Sequence, residues 1–145
     1  MLQNCVDGLN KSPPRIKTIA WGILRYREHK NMIIIAFSNK TSKFLPRIFC
    51  RKFKHVAPII MNDNKITLYQ FIRKGNITQI QLKMRDLKIL MKHGWKFIYL
   101  NSNARRNFNA SKSITCVQFT KNIIGMRNLF VQTPYQMYKT LKKIP

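Results

Sequence analysis

Covalent and metal chemistry in a chain of this size depends on thiols, imidazoles and carboxylates. This sequence has few of them: Cys5, Cys50 and Cys116; His29, His55 and His93; Asp7, Glu28, Asp63 and Asp86. Zinc sites need two ligand pairs at short spacings. Cys50 and His55 stand close together, but no matching pair follows, so no metal centre is expected. Nuclease chemistry on paired carboxylates lacks a basis, because Asp63 and Asp86 have no acidic neighbour. A Cys–His nucleophilic pair can be drawn from Cys50, Cys116, His55 and His93, and no motif selects among them. Neither a phosphate-binding glycine loop nor a dinucleotide fingerprint is present. The reading is therefore non-enzymatic, with no catalytic residue, cofactor or small-molecule substrate. A histidine-dependent RNase is the catalytic alternative.

Cations are the abundant chemistry. The 145 residues hold 28 Lys and Arg against 4 Asp and Glu, a formal net charge of +24. After Asp86 no carboxylate side chain follows. Such a chain repels itself, and a polyanion relieves the repulsion. Nucleic acid is thus the expected partner. The cations are spread through nearly every segment and match no finger, basic zipper or recognition-helix pattern. Dispersal fits a protein embedded in folded RNA, touching phosphates on several sides. The expected phosphate contacts are Lys43, Arg47, Arg51, Lys52 and Lys54 in an early basic, Phe-interleaved stretch; Arg73 and Lys74 at a turn; Lys88 and Lys92 on a helix; Arg105, Arg106 and Lys112 in a polar loop; and Lys139, Lys142 and Lys143 near the C-terminus.

These side chains need elements to carry them. Residues 32–37 form a wholly apolar run, the mark of a buried strand and far too short to cross a bilayer. Residues 65–72 and 77–84 are rich in strand formers and flank Arg73-Lys74-Gly75-Asn76, which predicts a β-hairpin with a basic tip. In its second arm Ile80, Leu82 and Met84 should face a core and Gln79, Gln81 and Lys83 solvent. Residues 85–93 read as a helix with Leu87, Leu90 and Met91 in one stripe, Asp86 at the favourable end and Gly94 as its stop. Residues 95–100 read as a strand, 101–112 as a polar basic loop, and 114–119 as a further strand. In 122–130, Ile123, Ile124, Met126, Leu129 and Phe130 are available for packing, and Pro134 should end that element. The fold class expected is α+β: a small antiparallel or mixed sheet with a β-hairpin and one or two packed helices, plus basic terminal extensions. Residues 1–30 form the lead-in, 31–131 the RNA-binding body and 132–145 a basic C-terminal tail.

Isoleucine occurs 19 times and asparagine 13 times, against 5 alanines and 5 glycines. With abundant lysine, this is the imprint of an AT-rich genome. That bias accounts for Lys and Asn but not for the missing Asp and Glu, whose codons are not GC-rich. The three widely spaced cysteines do not form a secreted disulfide framework, and the N-terminus lacks the pattern of a signal or import peptide. In composition the chain resembles ribosomal proteins encoded by AT-rich organellar genomes, mitochondrial ones above all. The resemblance implies a structural constituent of a mitochondrial ribosome in the matrix, held by rRNA and neighbouring ribosomal proteins, without a transmembrane segment. The main alternative is a viral or plasmid-encoded single-stranded nucleic-acid-binding protein, acting in the cytoplasm of a virus-infected or AT-rich-genome cell.

Overall fold

The computed structural model describes residues 31–40, 52–63, 65–73, 76–101 and 113–144. The lead-in 1–30, most of the early basic stretch and the loop 102–112 lie outside the described residues.

Five strands form one antiparallel sheet: β1 (Asn31–Ser38), β2 (His55–Asn62), β3 (Lys65–Arg73), β4 (Asn76–Leu82) and β5 (Lys96–Asn101), in the spatial order β4-β3-β2-β1-β5. Three helices join it: α1 (Met84–Lys92), α2 (Cys116–Ile124) and α3 (Pro134–Lys143). This is the α+β fold with a hairpin that the periodicities call for, and the sheet is antiparallel throughout.

Position in the sheet explains each strand's composition. β1 is an interior strand, paired with β2 on one side and β5 on the other, and its residues from Met32 to Phe37 are all buried. Both its faces are covered, which is why it reads as a continuous apolar run. Ile33, Ile35 and Phe37 point to a core shared with Val56, Ile98, Val117, Met137 and Leu141. On the same side, Ile60 and Phe71 pack with Phe119 and Ile123 of α2. Met32, Ile34 and Ala36 point the other way and join Ala57, Ile59, Met61, Leu68 and, from α1, Leu87. The sheet is thus sandwiched, with α1 in one layer and α2 and α3 in the other. The β2–β3 ladder starts at Ile59, immediately after Pro58, which has no N–H to contribute.

β4 lies at the edge of the sheet, and burial follows from that. Leu82 packs on the core as expected, and Met84 does so from the first residue of α1 rather than from the strand, which ends at Leu82, but Ile80 is exposed. The strand has a neighbour on one side only, so alternation alone overstates its cover. Gln81 is exposed yet bonded across the ladder, its Nε2 donating to Thr67 Oγ1 at 3.0 Å.

Three readings of the C-terminal third are corrected. Residues 114–119 do not form a strand: Cys116–Ile124 is a helix. Thr115 caps it, its Oγ1 accepting from Gln118 N–H at 3.2 Å, and Gly125 ends it in the left-handed region at φ 68. Those two caps and the burial of Val117, Phe119 and Ile123 outweigh the strand preference of β-branched residues. Pro134 does not end an element but opens α3, where its missing N–H costs nothing. Thr133 caps that helix in a reciprocal arrangement with Gln136. Leu129 and Phe130 do not pack inside; both are exposed. Replacing Gly125 with Ala puts a Cβ on a left-handed residue and should cost about 1 kcal/mol, read as a lower urea midpoint.

The C-terminal basic segment docks as α3. Met137 and Leu141 are buried, and Tyr138 meets Phe37 edge-on at 5.2 Å and Phe53 at 4.8 Å. Of the phenylalanines in the early basic stretch, Phe53 is a core anchor, 5.5 Å from the Phe37 ring.

Candidate nucleic-acid interface

Of the expected phosphate contacts, Lys52, Lys54, Arg73, Lys88, Lys92, Lys139, Lys142 and Lys143 fall within the described residues. Lys43, Arg47, Arg51, Lys74, Arg105, Arg106 and Lys112 lie outside them. Within the first group all are exposed except Lys54, which is half-buried where its backbone N–H donates to Ser38 O at 2.8 Å.

Two helical ridges organise the cations. On α1, Arg85, Lys88 and Lys92 follow one another at three- and four-residue steps, so they share a face. Leu87 anchors the opposite side of the helix in the core. Asp86 sits in the first turn and accepts from Lys83 N–H at 2.7 Å, which fixes the helix start. The helix stops at Gly94, φ 87, where Trp95 N–H donates to Leu90 O at 3.1 Å. Lys83 and Lys96, on either side, are exposed as well. On α3, Lys139, Lys142 and Lys143 form the second ridge, opposite the buried Met137 and Leu141. Lys139 Nζ stands 5.6 Å from the Tyr135 ring centroid, a cation–π placement that holds the ammonium outward.

The ridges belong to opposite layers of the sandwich, so positive charge faces outward on both sides of one sheet. Little opposes it. Among the described residues the acids are Asp63 and Asp86, and the ion pair between Arg85 Nε and Asp86 Oδ1 is long, at 3.8 Å, and solvent-exposed. Such pairs contribute little. Arg85, Lys83 and Lys96 were not among the expected contacts; the three-residue step from Arg85 to Lys88 was the signal that could have found Arg85. Lys121 is different: its Nζ donates to Val131 O at 3.2 Å, which ties α2 to the loop before α3.

The groups with catalytic chemistry are placed as follows. Cys116 is the half-buried first residue of α2 and carries no disulfide. His55 opens β2, its ring edge-on to Trp95 at 6.2 Å. His93 is exposed at the end of α1. No group of three metal-ligating side chains occurs among the described residues. No helix among them is long and apolar enough to cross a membrane.

Among the described residues, Tyr99 on β5 has its ionisation shifted by burial. Desolvation of the phenolate pushes its pKa above the ordinary tyrosine value. The folded state therefore holds this proton more tightly than the unfolded chain. Stability is constant below the unfolded value and falls as pH rises through the interval up to the folded one. Tyr99→Phe should remove that part of the alkaline loss, measured as urea midpoints from pH 8 upward, about 8 to 11.

Fold and surface together define a class: an antiparallel α+β sandwich whose outer helices are cationic in both layers. The chain matches no family model, no curated protein and no solved structure.

Proposed function

We propose that this protein is a structural RNA-binding protein, a constituent of a ribosome of the mitochondrial type, that holds folded rRNA by its phosphates. The observation that carries the reading is the pair of lysine ridges on opposite layers, Arg85–Lys88–Lys92 and Lys139–Lys142–Lys143, beside a near-absence of acids. A reader of one duplex groove needs one cationic face. Cations on both outer layers suit a module wedged between RNA segments, each neutralising phosphates that would otherwise repel one another. The ribosomal assignment adds to this the organellar composition of the chain. Isolation of the native particle, with identification of its RNA and proteins, is the test. Co-sedimentation with one ribosomal subunit at high salt supports the reading. Recovery as a free, RNA-less protein overturns it, and recovery bound to many unrelated single strands favours the alternative of a non-specific single-strand binder.

A further inference from the structure

Between α2 and α3 the chain makes a short loop whose tip is apolar and exposed. Leu129 retains 79% of its accessible surface and Phe130 88%. Single exposed hydrophobics are ordinary. Two adjacent ones on a loop fixed from both sides are not a product of slack. Phe130 N–H donates to Asn128 Oδ1 at 2.9 Å, and Gln132 Nε2 donates to Leu129 O at 2.6 Å. Val131, the next residue, is buried in the core, and Lys121 holds its carbonyl. The loop is therefore anchored immediately behind the aromatic ring, which is held out in water. Arg127 is exposed at its start.

We propose that Phe130 is a base-stacking residue and that the Arg127–Phe130 tip selects unpaired nucleotides. This rests on the nucleic-acid reading above and sharpens it: phosphate contacts alone do not tell single strands from duplexes. An aromatic face is open only to a base that has left its stack. Every base offers such a face, so the contact tolerates sequence. Charge decides the occupant. A guanidinium three residues from the ring and a net charge of +24 draw a polyanion to this tip, where an apolar protein surface would have to desolvate the arginine without compensation.

The test compares wild type with Phe130→Ala, Phe130→Leu and Phe130→Tyr. The probes are a labelled oligouridylate of roughly 16 nucleotides and an RNA duplex of the same length. With the ring in solvent, all variants should keep the wild-type circular dichroism. Phe130→Ala should weaken single-strand binding about 5- to 150-fold, the range for loss of one stacked base, with the salt slope unchanged. Phe130→Tyr should restore it, Phe130→Leu should not, and duplex affinity should stay within about twofold of wild type, since a paired base offers the ring no face. Unchanged single-strand affinity in Phe130→Ala, alongside tight wild-type binding, overturns the stacking role and leaves the phosphate reading intact. Full rescue by leucine shows that the contact needs only an apolar surface and no ring, and overturns the stacking role too. Equal losses on duplex and single strand overturn the selectivity. A wild type that binds neither probe overturns both proposals together.

Discussion

If the proposed RNA contacts are made, replacing Lys88, Lys92, Lys142 and Lys143 with Gln in one chain should lower RNA affinity by several hundredfold, on the order of 500-fold at about 0.1 M salt. The estimate follows from counterion release. Each phosphate contact to a single strand adds about 0.7 to the slope of log affinity against log salt, so each is worth roughly fivefold at that concentration. The four side chains are exposed on two helices, and none of them carries a packed contact in the core. Glutamine preserves helix propensity and length, so the fold is retained. The slope itself should fall by about 3, which separates lost phosphate contacts from a changed structure. Substituting the α1 pair and the α3 pair separately carries the same logic further. If the two ridges meet different RNA segments, each pair removes about half of the slope, and both are needed for the full effect. A slope unmoved by all four changes would mean that these lysines face water in the complex.

Phe37→Ala is the substitution expected to cost most in stability, about 3–5 kcal/mol. Phe37 is fully buried near the end of the interior strand β1. Its ring meets Phe53 at 5.5 Å and Tyr138 at 5.2 Å, so it joins the sheet, the chain entering β2 and helix α3. Truncation leaves a cavity where three elements meet, and the rigid aromatic neighbours cannot close it. Domains of this size have only about 5–15 kcal/mol in total. This one also carries uncompensated positive charge, which lowers its margin further at low ionic strength. The midpoint of thermal unfolding should drop by roughly 6–20 °C. Part of that drop should be recovered in both wild type and variant by added salt, which screens the repulsion. Phe130→Ala provides the contrast. The residue type and the deletion are the same, but the ring is exposed, so unfolding should move by no more than about 0.5 kcal/mol.

Particular residues show how far the sequence could be read. Met32 to Phe37 announced a strand buried on both faces, because a run with no polar member has nowhere to sit but between two layers. The β3–β4 hairpin and helix α1 were legible for a related reason: Gly75, Gly94 and Asp86 punctuate them locally, and their periods differ. Residues 114–119 read as a strand and fold as a helix, because Ile114, Thr115 and Val117 favour strands and nothing local shows that the core between β2 and β3 lacks a cover; Ile123, Ile124 and Met126 pack as expected. Burial of Phe119 and Ile123 there supplies the free energy that turns the segment into a helix. Pro134 carried two meanings, and the docking of Met137 and Leu141 chose the helix start over the helix end.

The net charge follows from composition alone, because the excess of Lys and Arg over Asp and Glu is independent of how the chain folds. Which cations stand together, and on which layer, does not. Sequence spacing aligns Lys88 with Lys92 and Lys139 with Lys143, but only the sheet between α1 and α3 sets the two ridges on opposite sides. Exposure is likewise a tertiary property. Phe37, Phe53 and Phe130 are the same residue in the chain, and their burial differs because packing around each depends on segments distant in sequence.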